Sequence, residues 1–142
     1  MNTAWAAVAA AAVFVWLGMV LAISFLEAPL KFRAPDVSVR IGLGIGRLVF
    51  RALNRVEAVL AVVVIAAVTV GAPSTAVVVL TSLAAALLVV QLAGVRPALD
   101  RRSDRVLAGE EVPLSRAHLL YVACEVAKAL TLLALGTATL MP

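Results

Sequence analysis

Four apolar stretches, each near or beyond the roughly 20 residues that a helix needs to cross a bilayer, decide the fold class of this chain before any motif is read. They cover residues 3–26, 48–70, 74–95 and 117–141. With 64% apolar side chains and a mean hydropathy of +1.11 over 142 residues, one soluble core could not hide them. The expected fold is all-α: a single transmembrane domain, 1–142, of four helices arranged as two hairpins. The second stretch is the least clean, because a full crossing must include Arg51 or Arg55, whose long side chains can snorkel to the headgroups.

Charge placement predicts orientation. Of the twelve Lys and Arg residues, six lie between the first two helices and five between the last two; the turn Gly71-Ala72-Pro73-Ser74-Thr75 and both ends of the chain carry no charged side chain. The positive-inside rule then puts both charged connections in the cytoplasm and both termini outside. The first apolar run is expected to be a membrane helix rather than a cleaved signal, since no Lys or Arg precedes it and it exceeds the about 7 to 15 residues of a signal core. The net charge of +4 sits in the cytoplasmic connections, where it attracts anionic lipid headgroups, so the basic balance needs no nucleic acid. The single Cys124 allows no intrachain disulfide.

A shift of 68 positions carries Pro29, Arg33, Asp36 and Glu57 onto Pro97, Arg101, Asp104 and Glu125 without a gap. Both halves read Pro-x3-Arg-x2-Asp-x20-Glu, which suggests a parallel internal repeat of about 1–72 and 73–142. Only seven identities occur over positions 29–72 in that register, so identity alone does not establish duplication. The prolines are expected to bend or end their helices as they leave the membrane. The segment 42–46, Gly-Leu-Gly-Ile-Gly, is expected to be a flexible turn before the second helix, not a nucleotide fingerprint, because no strand precedes it. Residues 100–108 read as a short amphipathic continuation stopped by Gly109, and Ser115 as the N-cap of the last helix.

The candidate site is intramembrane. A charge inside a spanning helix costs about 2.5 kcal/mol or more, so it faces protein or water and marks a functional site by default. His118, Tyr121, Glu125 and Lys128 fall on one face of the fourth helix; Asn54 and Glu57 form a similar stripe on the second. Gln91 is placed to hydrogen-bond into the same interior, whereas Trp16 reads as packing. Two accounts are open. In one, Lys128 pairs with either glutamate and Arg55 or Arg51 with the other, merely locking the helices. In the other, two carboxylates in one polar pocket cannot both ionise comfortably, so one holds a proton and exchanges it with an ion or substrate, Lys128 tuning the pair and Asn54, His118 and Tyr121 lining the site.

A metal site is not expected, because His118 lies about two turns, roughly 10 Å, from Glu125. With one His in the chain, haem is not expected either. No cofactor, nucleophile elbow or catalytic dyad is read, and an enzymatic role is not favoured. Arg33, Asp36, Arg101 and Asp104 are expected either to pair across the hairpins or to clamp lipid phosphate. A homodimer or a larger membrane complex remains open on the sequence, including the reading of a non-catalytic accessory subunit whose polar stripe is satisfied by a partner helix.

The runs Glu27-Ala28-Pro29-Leu30-Lys31-Phe32, Phe50 through Glu57, and His118-Leu119-Leu120-Tyr121 with Glu125 and Lys128 resemble a group of small bacterial four-helix membrane proteins with no assigned activity. That resemblance implies only the architecture and assigns no residue a role; the expected location is a bacterial cytoplasmic membrane. Tyr121 and Glu125 are also similar in kind to the motif of the small multidrug resistance transporters. That family carries its glutamate in the first helix with a wider Tyr to Glu gap, so the similarity implies shared chemistry only.

Overall fold

The computed structural model describes residues 1–113 and 116–141; the expected N-cap, Ser115, lies outside them. Four helical spans are long and apolar enough to cross a membrane: α1 (Thr3–Arg33), α2 (Val39–Val70), α3 (Thr75–Leu107) and α4 (Arg116–Leu140). No strand occurs among the described residues. Asn2, Ser38 and Ser74 cap α1, α2 and α3, each side chain accepting a backbone N–H of the first turn.

Neither proline stops its helix. In α1 a π-helical segment, Leu21–Glu27, precedes Pro29, and the chain continues through Ala28–Leu30 into a 3₁₀ turn, Lys31–Arg33. In α3 the π segment Gln91–Val95 precedes Pro97, and the helix runs on as Arg96–Leu107. The residue before each proline donates five residues back, Ala28 to the Ile23 carbonyl and Arg96 to the Gln91 carbonyl. That wider register makes room for the proline ring, which in a regular α-helix would strike the carbonyl four residues earlier. The expected continuation over 100–108 is thus the end of α3 itself, and Gly109 follows it at φ +90°.

The expected flexible turn at 42–46 is corrected to helix: α2 begins at Val39, and at 32 residues spans about 48 Å, well beyond a hydrocarbon core of about 30 Å. The glycines serve packing. A methyl at Gly42 would overlap the Phe32 ring, and one at Gly46 would meet the Lys31 ammonium, so they let the end of α1 lie directly on α2.

Helix α1 packs on α2 and α4, and α3 packs on α4 and, less extensively, on α2. The contacts close a ring in which α2 and α4 sit across from each other. The N-terminus joins the α2–α3 turn, the Asn2 N–H donating to the Gly71 carbonyl at 2.9 Å, so these two uncharged segments share one end of the bundle. Large apolar side chains point outward along every span, among them Val15, Val62, Val89 and Leu130. That surface suits lipid and not water.

Inside the ring are two apolar layers. The larger contains Val13, Trp16, Leu17, Val64, Leu88, Leu132 and Leu135; the smaller, nearer the charged connections, contains Phe50, Leu53, Val95 and Tyr121. Charged side chains fill the level between them.

Candidate functional site: a buried charge cluster between two apolar layers

Each helix sends one or two polar groups to that level. Along α2 the buried face runs Phe50, Leu53, Glu57, Ala61, Val64, and along α4 it runs Tyr121, Cys124, Glu125, Lys128, Leu132, Leu135. These three- and four-residue steps place Glu57, Glu125 and Lys128 on the inner faces of their helices. Counting about 1.5 Å per residue, Glu57 lies about 27 Å from the start of α2 and about 20 Å from its end. Solvent does not reach the group: Lys128 is 0% exposed, Glu57 1%, Glu125 2% and Gln91 3%.

Lys128 holds the cluster together. Its Nζ lies 2.5 Å from Glu57 Oε1 and 2.7 Å from Glu125 Oε1, and it donates to Gln91 Oε1 at 2.7 Å. An ammonium has three N–H donors, and here three oxygens from three helices take them. The remaining donors go to the carboxylates. Trp16 Nε1 on α1 donates to Glu57 Oε1 at 2.8 Å, and Gln91 Nε2 on α3 donates to Glu125 Oε1 at 2.6 Å. Each glutamate therefore receives Lys128 plus one neutral donor, from α1 for Glu57 and from α3 for Glu125. The bonds to the carboxylates all end on Oε1 of each glutamate; neither Oε2 receives one, and Glu125 Oε2 is fully buried with no hydrogen-bond partner among the described residues.

The unsatisfied oxygen is informative because buried polar atoms are nearly always paired, and an unpaired charged one is costly. Two carboxylates facing one ammonium carry a net charge of −1 when all are ionised. In an apolar surrounding a net charge is unfavourable.

The other sequence-predicted residues take different places. Tyr121 is one turn from Glu125, in the smaller apolar layer, its ring meeting Phe50 edge to face at 5.6 Å and 88°. Asn54 is half-buried and makes no side-chain hydrogen bond among the described residues; His118 is exposed and does not join the cluster. Arg51 and Arg55 are exposed, and neither forms an ion pair among the described residues, so both glutamates share Lys128 instead of dividing between Lys128 and an arginine. No group of three or more metal-ligating side chains occurs among the described residues.

Of the residues in the charged connections, Asp104 makes a cross-helix pair, but with Arg47 of α2, at 2.5 Å. Arg33, Asp36 and Arg101 are exposed and form no ion pair among the described residues. A cavity of about 490 Å³ opens at this end, with Tyr121, Phe50, Arg96 and His118 in its wall. Phe50 and Tyr121 thus separate the cavity from the charge cluster.

Trp16 is the member of the cluster that sequence reasoning read only as packing. The usable signal was its indole N–H, a donor that in a lipid-facing or buried position must find an acceptor. Compared with protein-family models, with curated proteins and with solved structures, the chain matches none.

Proposed function

We propose that this is a proton-binding integral membrane protein, of the kind that couples a solute or ion to a proton gradient, with Glu125 as the group that takes and releases the proton. The observation that carries this reading is Glu125 Oε2, a buried carboxylate oxygen without a partner in a cluster whose single cation has spent all its donors. A proton fits the vacancy better than a metal cation, which asks for about six oxygen ligands. The flanking apolar layers keep water away, so gain or loss of one charge there shifts the electrostatic energy of the whole bundle.

The same reading keeps the bacterial cytoplasmic membrane as the expected location, and the distribution of Lys and Arg supports charged connections inside and both termini outside. Two features support the parallel repeat of hairpins at offset 68. A π turn precedes the proline of each half, and each glutamate takes its neutral donor from the other helix of its own half. Lys128 would be where the halves diverge, since Leu60 stands at the matching position. The accessory-subunit reading is weaker because Lys128, Gln91 and Oε1 of both glutamates find their partners within a single chain.

The test is reconstitution into vesicles with an imposed pH gradient and a pH-sensitive dye inside. Wild-type protein should dissipate the gradient when its solute is supplied from a panel of cations and small metabolites, and Glu125→Gln should not, while inserting normally. Equal dissipation by the two proteins would reject Glu125 as the coupling group.

A further inference from the structure

Arg96 stands at the wall of the cavity on the charged side with no anion to hold. Its guanidinium lies over the Phe50 ring at 4.6 Å and near the Tyr121 ring at 5.6 Å. Among the described residues it donates no side-chain hydrogen bond and forms no ion pair; Asp100, one turn on, is in the same cavity wall but outside ion-pair reach. Its cationic neighbours are already engaged. Lys31 pairs with Glu27 at 3.4 Å, Arg47 with Asp104, and Arg102 donates to the Pro113 and Val112 carbonyls. Stacking satisfies the faces of a guanidinium but none of its five N–H donors, which form a fork suited to phosphate or carboxylate.

Beside these cations the wall is largely apolar, which a free anion does not use. Phe25, Phe32, Phe50 and Leu99 line the cavity, and Phe25 and Phe32 keep about two-fifths of their surface exposed at its mouth. A volume of about 490 Å³ is that of a site for a small amphiphile. We infer that this cavity binds the phosphate head of an anionic phospholipid from the leaflet on the charged side, Arg96 taking the phosphate oxygens and the exposed faces of Phe25 and Phe32 taking the first part of the acyl chains. The site is separate from the buried charge cluster, from which Phe50 and Tyr121 divide it. It adds a lipid partner at a defined place to the diffuse attraction of the basic connections.

The experiment is titration of the purified protein in a non-ionic detergent, read by native mass spectrometry, with short-chain phosphatidylglycerol, short-chain phosphatidylcholine and inorganic phosphate. Wild-type protein should take up one phosphatidylglycerol in preference to phosphatidylcholine, and Arg96→Gln should weaken that uptake about tenfold or more. Ser103→Asp, which adds a negative charge to the half-buried cavity wall, should act in the same direction and carries the test if Arg96→Gln does not fold. Arg40→Gln, exposed and outside the cavity, should leave binding unchanged. Equal binding by wild type and both cavity variants would overturn the proposal. So would equal binding of the two lipids, and displacement of the lipid by inorganic phosphate at the same concentration would reassign the site to a free anion.

Discussion

Lys128 of α4 reaches Glu57 of α2 across the bundle, the ammonium nitrogen 2.5 Å from the carboxylate oxygen, although the two helices share no extensive backbone contact. This bridge, together with the bond from Lys128 to Glu125 on its own helix, ties opposite sides of the ring through one side chain. Removing one partner of a buried pair leaves an uncompensated charge and typically costs about 3–5 kcal/mol.

Lys128→Met should therefore be severely destabilising, since two carboxylates would face each other without a cation. The triple variant Lys128→Met, Glu57→Gln, Glu125→Gln keeps the volumes and removes every charge, and should recover most of the lost stability. Thermal unfolding in detergent checks both; a triple variant no better than Lys128→Met would show that packing and not charge was at stake.

Trp16→Phe keeps the ring in its apolar layer but deletes the donor to Glu57. A hydrogen bond to a charged group contributes about 1.5–3 kcal/mol, so the melting temperature should fall by several degrees. Adding Glu57→Gln to Trp16→Phe should cost more again, because that change also takes a buried carboxylate from Lys128.

Glycine positions on α2 separate packing from helix propensity. At Gly44 an added methyl meets nothing, and Gly44→Ala should stabilise by about 0.4–1 kcal/mol; at Gly42 it strikes the Phe32 ring, and Gly42→Ala should destabilise by about 1–3 kcal/mol. Opposite signs of the two melting shifts are the expected result.

Phe50 and Tyr121 stand between the cavity and the cluster, and Cys124, buried and one turn from Tyr121, is a native probe of that barrier. Tyr121→Ala should speed the reaction of Cys124 with a small charged thiol reagent applied from the charged side. An unchanged rate would mean that water reaches this level by another route.

The four spans were legible because hydropathy over about 20 residues is a strong signal in lipid, and the charges in them were legible because each is expensive there. Glu57, Glu125, Lys128 and Gln91 could be named from their depth and helical spacing alone. Their partners could not. That Lys128 serves both glutamates, leaving Arg51 and Arg55 outside, depends on how α2 and α4 face each other, which no spacing within one helix encodes. The glycines of 42–46 look like a loop locally but lie within α2, where Gly42 and Gly46 leave room for Phe32 and Lys31. The prolines look like helix ends, and the π turns that carry the helices past them have no sequence mark.

The most direct measurement of the central claim is the infrared difference spectrum of the membrane-embedded protein between acidic and alkaline pH, recorded for wild type, Glu125→Gln and Glu57→Gln. The account predicts the carbonyl stretch of one protonated carboxylic acid in an apolar site, weakening as pH rises, abolished in Glu125→Gln and weakened in Glu57→Gln, where Glu125 and Lys128 already form a neutral pair. A wild-type spectrum without that band, or a band untouched by Glu125→Gln, would contradict it.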